Sequence, residues 1–349
     1  DAGLSRRSAE ADRLAIMDRP AVAYGILVVS GGARPQDRFE FGPSAFSTVT
    51  KFAGSDKDTH WQEWLGSIEW DELGGENRCV VFLQQDYEPE VGNSKAKQKA
   101  FGRLWWTWRA SQLVRRNWPL ASRAWCFNGL LESAEPLRIR SITGCSRMPK
   151  LPDPFYCQTE GYNSALVSRS DWGEPEGWPQ EWARIDQQLV RLKNKQRLPP
   201  LVDIGLHALS SALERSLLEF RMPDFVRAAE CILALPRGTG AVLFAERALR
   251  VAPHLAQHFY VGCTQLEQDL KEVYDRRSSC VHGKIPFEEL KQQGAAGADR
   301  AGRLEFLAHE LARSAIRYAL DAVDGGSNVF SSRGSLEKAW ASDAMPRVP

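Results

Sequence analysis

Apolar residues recur at helical spacing through the second half of the chain. Within 201–220 the spacing predicts an amphipathic helix whose apolar positions are Leu206, Leu209, Leu213, Leu217 and Phe220. Four more helices are predicted at about 223–235, 240–251, 266–280 and 299–323, each followed by glycine or proline. Because these five helices can pack antiparallel, residues 201–325 predict a helical bundle.

The first half has the pattern of a mixed α/β domain that is rich in tryptophan. Apolar, β-branched runs predict strands at 21–30 and 79–83, and alternation predicts a half-exposed strand at 137–142. Residues 95–131 contain few helix breakers and predict one or two helices. The fold class is therefore mainly α, with an α/β domain preceding the bundle.

Domain boundaries follow from a polar segment that ends in two prolines, residues 193–200. We expect an N-terminal domain over 1–192, a linker over 193–200, the bundle over 201–325 and a flexible tail over 326–349. The N-terminal domain would regulate the bundle or act as a sensor.

Composition narrows the class of protein. With 45 Lys and Arg against 44 Asp and Glu, the net charge of +1 excludes a generally basic nucleic-acid coat, so nucleic-acid contact would need a local patch. No apolar run is long enough for a membrane span and no secretory signal is visible, so we expect a cytoplasmic protein without membrane contact. Seven cysteines without a C-x-x-C pair do not suggest a zinc site or a disulfide framework.

One stretch carries candidate chemistry, YDRRSSCVHGK at 274–284. An imidazole such as His282 can exchange protons near neutral pH, and a guanidinium such as Arg277 can hold a phosphate. On a continuous helix these two side chains would point about 140° apart. If the helix ends at Gly283, His282 can turn back toward Arg277, and Ser278 could orient either group. Metal-free cleavage of a phosphodiester then becomes possible.

A structural interpretation of the same stretch stays open. Arg-x4-His is a common spacing, and His282 could simply cap a helix C-terminus. Arg276 and Arg277 could be surface partners of Glu272 and Asp275.

The stretch resembles the Y-x-x-R-S-x-x-V-H-G signature of HEPN domains, in particular the ApeA-like branch. Two upstream helices are similar to that branch as well, around Glu230 and around Arg247. The resemblance covers about 201–324. It implies a helical bundle that forms a homodimer and cleaves RNA without a metal or other cofactor, as in defence and toxin–antitoxin systems.

The resemblance also implies residue roles. Arg277 and His282 would be the catalytic pair, with Ser278 at the polar position after the arginine. The supporting residues would be Tyr274, Arg276, Glu230 and Arg247, where Arg276 also offers an alternative spacing to the histidine. Some HEPN domains are inactive and serve only for dimerisation or ligand binding.

Basic residues alternate with tryptophans in the predicted helical region of the first half, which suits single-stranded RNA. The candidate RNA-binding residues are Arg109, Arg115 and Arg116. Tryptophans packed inward with solvated arginines explain the same pattern. His254 and His258 are spaced for a metal on a helix, but no third ligand is evident, so we expect no metal site.

The sequence thus predicts a cytoplasmic HEPN ribonuclease, acting on RNA as a homodimeric defence or toxin effector. An antitoxin or an activating ligand would control it. The alternatives are a non-catalytic module for dimerisation or ligand binding, and a single-stranded RNA binder.

Overall fold

The computed structural model describes most of the helical half and the strands of the first half. The described residues are 21–30, 38–41, 44–49, 78–87, 103, 106–107, 109–110, 112–114, 121–131, 139–147, 178–194, 198–215, 217–236, 238, 240–255 and 263–346. The chain divides into two compact units. The sheet unit comprises residues 1–108 and 119–150, and the helical unit comprises residues 109–118 and 151–349.

The sheet unit contains a six-stranded antiparallel sheet. Its strands are β1 (Ala21–Ser30), β2 (Arg38–Phe41), β3 (Ser44–Val49), β4 (Arg78–Tyr87), β5 (Ala121–Leu131) and β6 (Ile139–Arg147). In the order β2-β3-β4-β1-β5-β6, β1 pairs with β4 on one side and β5 on the other. The β-branched run of β1 therefore forms a central strand, as its composition favours.

The predicted strands lie where the sheet has β1, β4 and β6, whereas the helix predicted over 95–131 is wrong from Ala121 onward. Those residues form β5, which pairs along nearly the whole length of β1. Periodicity does not separate a short apolar helix from a strand, and the pairing with β1 comes from a distant part of the sequence. The mixed α/β class of the whole N-terminal half remains a prediction.

The helical unit contains eight α-helices within its described residues. They are α1 (Trp178–Asn194), α2 (Pro200–Glu214), α3 (Leu218–Leu233), α4 (Ala241–Val251), α5 (Cys263–Val281), α6 (Pro286–Lys291), α7 (Ala295–Asp324) and α8 (Arg333–Ala341), with a 3₁₀ turn at Val329–Ser331. The predicted C-terminal helical bundle is confirmed. No described helix is both long enough and apolar enough to cross a membrane.

Helix α7 forms the centre of the bundle and packs against α2, α3, α5 and α6. Its buried apolar side chains include Leu304, Leu307, Leu311 and Ile316, none of which is solvent-exposed. Their spacing of three to five residues keeps them on the faces of α7 that its neighbours cover. Gly297, near the start of α7, lies directly against the backbone carbonyl of Leu290 in α6.

The first predicted helix, 201–220, is interrupted. Helix α2 ends at Glu214, and α3 begins at Leu218, so residues 215–217 separate them. Helix α3 starts five residues before Pro223, which lies inside it. Because Pro223 has no N–H, position 223 cannot donate the helical bond to the carbonyl of Glu219.

The predicted tail at 326–349 is wrong as a flexible segment, because much of it is helical and packed. Phe330 is fully buried, and Trp340 of α8 donates its indole N–H to the carbonyl oxygen of Ile232 at 3.2 Å. Trp340 thus packs at the end of α3, and the ring of Phe330 lies 6.1 Å from that of Tyr318 in α7, so burial of both rings stabilises this segment.

Helix α1 belongs to the helical unit, although the predicted boundary assigns it to the N-terminal domain. Gln188 and Arg191 donate hydrogen bonds to Asp321 and Asp324 of α7, each at 3.1 Å. These contacts join α1 to the central helix across the polar segment from which we predicted the linker. The boundary between the sheet unit and the helical unit therefore precedes α1.

Candidate active site on helix α5

Helix α5 ends at Val281, and His282 follows it directly. The backbone N–H of His282 donates to the carbonyl oxygens of Ser278 at 3.2 Å and Ser279 at 3.1 Å, so helical bonding reaches His282. The chain turns at Gly283, whose φ is +77°. Gly283 N–H bonds to the carbonyl of Cys280, and Lys284 N–H bonds to that of Ser279. Together these bonds form a Schellman C-cap, in which the left-handed position favours glycine.

This cap fixes the relation between the two predicted catalytic side chains. The backbone bonding of His282 corresponds to the continuous-helix case, and the return of its imidazole toward Arg277 stays a prediction. Five helical positions place the two Cα–Cβ directions about 140° apart around α5. Ser278, four positions before His282, lies on the histidine's face of the helix.

Arg277 continues the buried stripe of α5 and reaches α3. Its Nη2 donates to Oε2 of Glu230 at 2.7 Å. Both side chains are largely buried, with 24% and 19% of their surfaces exposed. The guanidinium carbon lies 5.7 Å from the ring centre of Tyr274, within cation–π range. The structure therefore brings together three of the predicted site residues and holds the guanidinium in one place.

Neighbouring positive charges offset only part of the effect of burial on the pKa of Glu230. Burial raises the pKa of Glu230, although the guanidiniums of Arg277, Arg333 and Arg227 favour the ionised carboxylate. Burial, together with the negative charge of Glu230, also raises the pKa of the Tyr274 phenol. The pair is thus held in a poorly solvated setting, where a carboxylate and a guanidinium interact strongly.

His282 lies in a different environment from Arg277, which is largely buried and paired with Glu230. Its side chain is exposed, and no side chain among the described residues hydrogen-bonds its imidazole. Such a histidine is available to a ligand or to a second protein chain. Its backbone is nevertheless fixed by the cap at Gly283.

Two of the supporting residues have structural roles. Arg276 pairs with Glu272 at 2.6 Å, as the structural interpretation predicts, and donates to the carbonyl of Pro286 at 2.8 Å, which ties α5 to α6. Arg247 donates to the carbonyl of Leu233 at 2.6 Å and so caps the C-terminus of α3. Arg247 also lies 4.7 Å from the ring centre of Trp340.

The predicted RNA-binding role of Arg109 is wrong. Only 2% of its side chain is exposed, and its Nη2 lies 2.8 Å from Nδ1 of His207 in α2. Ala110 and Gln112 are buried too, and Gln112 accepts a hydrogen bond from Ser210 at 2.8 Å. The described residues 109–110 and 112–114 are thus buried within the helical unit instead of facing a nucleic acid. Arg115 and Arg116 lie outside the described residues.

The histidine pair considered for a metal is only partly described. His254 lies 3.1 Å from the hydroxyl of Ser314, and His258 falls outside the described residues. Within the described part of the chain, no three His, Cys, Asp or Glu side chains gather as a ligand set.

Sequence reasoning missed an exposed apolar patch beside the end of α5. The patch consists of Leu217, Phe220, Val281 and Ile285, whose side chains are each more than half exposed. The N–H of Glu288 donates to the carboxylate of Glu219 at 2.8 Å, so the beginnings of α3 and α6 lie side by side. The missed signal is Val281 and Ile285 flanking the polar helix end, where apolar residues have no role in a cap.

No protein-family model matches this sequence, and neither a curated protein nor a solved structure does.

Proposed function

We propose that this protein is a metal-independent endoribonuclease of the HEPN type, in which Arg277 binds the phosphate and His282 acts as acid and base. One observation carries the proposal. A guanidinium fixed by Glu230 and an exposed histidine without a described partner lie within the last turns of one helix. Phosphodiester cleavage needs a fixed cation for the phosphate and a titratable group free to move protons.

The angular separation of the pair on α5 favours a site shared between two copies of the chain. Within one copy, His282 and Arg277 leave the helix on different faces. If two α5 ends meet, the histidine of each copy can approach the phosphate held by the other copy. Two imidazoles would then be available, one as base and one as acid.

The exposed apolar patch around the end of α5 supports the homodimer. Leu217, Phe220, Val281 and Ile285 account for four of the six large apolar side chains that are most exposed among the described residues. An apolar surface of this kind is typical of interfaces between protein chains. A second copy docked on this patch would bring two copies of His282 close together.

The proposed reaction balances without a co-reactant. One His282 imidazole takes the proton of an RNA 2′-hydroxyl, and the 2′ oxygen attacks the adjacent phosphorus. As the O2′–P bond forms, the bond from phosphorus to the 5′ oxygen of the next nucleotide breaks. The second His282, as imidazolium, donates a proton to that oxygen. Arg277 stabilises the charge that develops on the phosphoryl oxygens. The products are a 2′,3′-cyclic phosphate and a 5′-hydroxyl.

The resemblance of the α5 sequence to defence and toxin HEPN proteins suggests the biological role. A toxin-type effector would be held inactive until a signal arrives, and the sheet unit is our candidate for receiving it. We expect expression of the chain to be toxic to a host cell, and expression of the His282→Asn variant not to be.

The direct test is RNA cleavage in the presence of a chelator. Purified protein is compared with His282→Asn, Arg277→Ala and Arg277→Lys on total RNA. We expect the first two variants to lose at least about 100-fold in rate, since acid–base groups contribute about 10²–10⁴-fold and a charge-stabilising donor about 10²–10³-fold. Arg277→Lys should retain part of the activity, because it keeps the charge but loses the fork.

The matched control is Arg191→Ala, which removes an arginine from a half-exposed ion pair on α1. It should cleave RNA like the parent. If the parent cleaves and His282→Asn cleaves equally well, the catalytic proposal is wrong. Dimerisation of a chain that never cleaves RNA would instead favour the non-catalytic module.

A further inference from the structure

Three arginines approach the face of α3 that carries Glu230. Arg277 arrives from α5, Arg227 lies on α3 itself, and Arg333 arrives from the start of α8. We call Arg227, Arg277 and Arg333 the arginine strip. Sequence reasoning did not connect them, because they come from three helices and span more than 100 positions.

Arg227 is the freest cation of the strip. It lies three positions before Glu230, so the two side chains project from the same face of α3. Arg227 is exposed, and no described side chain forms a hydrogen bond or an ion pair with it. Its charge acts on Glu230, where it favours the ionised carboxylate.

Arg333 marks the other end of the strip. Its Nη2 donates to the carbonyl oxygen of Leu235, just beyond the end of α3, at 2.5 Å. Its Nε pairs with Glu337 at 2.8 Å, but both side chains are close to half exposed. A surface pair of this kind contributes little stability and exchanges readily for another anion. Arg333 also acts electrostatically on Glu230.

The spacing along α3 suits a polynucleotide. At 1.5 Å per residue, the six positions from Arg227 to Leu233, the last residue of α3, correspond to about 9 Å, and Arg333 binds the chain just beyond that end. Cations that follow one another along a surface in this way can each neutralise a phosphate of a single strand. Glu230 lies between the outer arginines and holds Arg277 in the middle.

We propose that Arg227 and Arg333 bind the RNA phosphates that flank the one held by Arg277, so that the arginine strip sets the path of the substrate across the helical unit. This inference rests on the proposed function, because it takes Arg277 as the binding site of the scissile phosphate. The ligand class is the ribose-phosphate backbone of single-stranded RNA, recognised by charge and not by base sequence.

The test is the salt dependence of RNA binding. The background is the full chain with His282→Asn, which keeps the substrate intact, and the probe is a fluorescent single-stranded RNA. We expect Arg227→Ala and Arg333→Ala each to lower the slope of log K against log salt by about 0.7, the value for one phosphate contact. Glu337→Gln should tighten binding, since it removes the carboxylate that competes for Arg333.

Arg184→Ala is the matched control, because Arg184 is also a half-exposed arginine paired with a carboxylate, Asp321. Its slope should equal that of the background. Far-UV circular dichroism confirms that each variant is folded, and Arg333→Gln repeats the test with a side chain that can still donate to Leu235.

The two proposals fail separately. If His282→Asn abolishes cleavage but the Arg227 and Arg333 variants keep the background slope, the arginine strip is wrong and the catalytic proposal stands. If His282→Asn cleaves like the parent, the catalytic proposal is wrong, and the slopes still decide whether the strip binds RNA. Equal slopes for the strip variants and Arg184→Ala overturn the strip.

Discussion

Replacing Glu230 tests whether the pair with Arg277 is a fixed element of the fold. Glu230→Gln keeps the shape of the side chain and a carbonyl oxygen that can accept the hydrogen bond from Nη2 of Arg277. Glu230→Ala removes the acceptor and leaves a guanidinium that is 24% exposed without its partner. The two variants therefore separate the hydrogen bond from the charge.

The magnitude follows from the contact and its burial. A hydrogen bond that involves a charged group contributes about 1.5–3 kcal/mol, and loss of a partner costs a buried group about 1–3 kcal/mol. Because water reaches about a fifth of each side chain, we expect about 1–2 kcal/mol for Glu230→Ala. That change corresponds to roughly 2–8 °C in Tm for a unit of this size. Glu230→Gln should cost less than about 1 kcal/mol.

The pH dependence has a definite sign. Burial raises the pKa of Glu230 above its ordinary value of 4.5. As the pH rises past 4.5, the unfolded chain loses this proton first, so the folded state holds more protons and stability falls with pH. The loss is complete once the pH exceeds the raised pKa. Glu230→Gln has no such proton, so it should gain stability relative to the parent between pH 4.5 and neutrality.

The assay is chemical unfolding followed by far-UV circular dichroism, which reports the helical unit. The reasoning is refuted if Glu230→Gln loses as much stability as Glu230→Ala at neutral pH. It is also refuted if the stability of the parent relative to Glu230→Gln increases as the pH rises from 4.5 to neutrality. Either result would mean that the ionised carboxylate stabilises the fold and that burial does not dominate its pKa.

Three further predictions concern the fold around the site. Burial raises the pKa of Glu305 to about 8 despite its pairing with Arg221. The unfolding free energy of the parent should therefore fall between pH 4.5 and 8. In Glu305→Gln, this fall of the unfolding free energy with pH should be absent. Gly297→Ala would place Cβ 1.8 Å from the carbonyl oxygen of Leu290, so it should cost at least about 1–3 kcal/mol in chemical unfolding, and an unchanged midpoint would contradict this packing. Gly283→Ala meets no steric obstacle but must adopt a φ of +77°; it should cost about 1–2 kcal/mol and lower the cleavage rate, whereas Gly283→Asn, which tolerates this conformation, should cost less.

The helical bundle and the extent of α5 are the parts of the fold that local sequence patterns predict. Helix α5 follows from the stripe of Leu266, Leu270 and Val273, and its end follows from Gly283. Both signals lie within a few residues of the structure they predict. The pairing of Arg277 with Glu230 joins residues 47 positions apart, and the resemblance to a known family named both residues without predicting that they pair.

The errors come from contacts between distant segments. The residues of β5 look compatible with a helix until β1 offers them a hydrogen-bonding partner. Arg109 looks like a surface cation until α2 provides His207 and a covering layer. Trp340 lies in a polar tail, and its burial depends on Ile232 and Arg247. No local pattern contains these partners.

The face occupied by His282 was also beyond local reasoning. A helix that ends one residue earlier would have released the histidine, and the sequence fits either end. The bonds from Gly283 to Cys280 and from Lys284 to Ser279 decide the matter, since they make His282 the C-cap residue of α5. This position of His282 is compatible with the homodimer that the resemblance implies.

The most direct measurement uses a short RNA of defined sequence that the parent protein cleaves at one bond in chelator. A matched RNA carries a 2′-deoxy sugar on the 5′ side of that bond, and both are tested with the parent and with His282→Asn. The account predicts that only the parent with the all-ribose RNA gives products, which end in a 2′,3′-cyclic phosphate and a 5′-hydroxyl. Cleavage of the deoxy-substituted bond, or undiminished cleavage by His282→Asn, would contradict it.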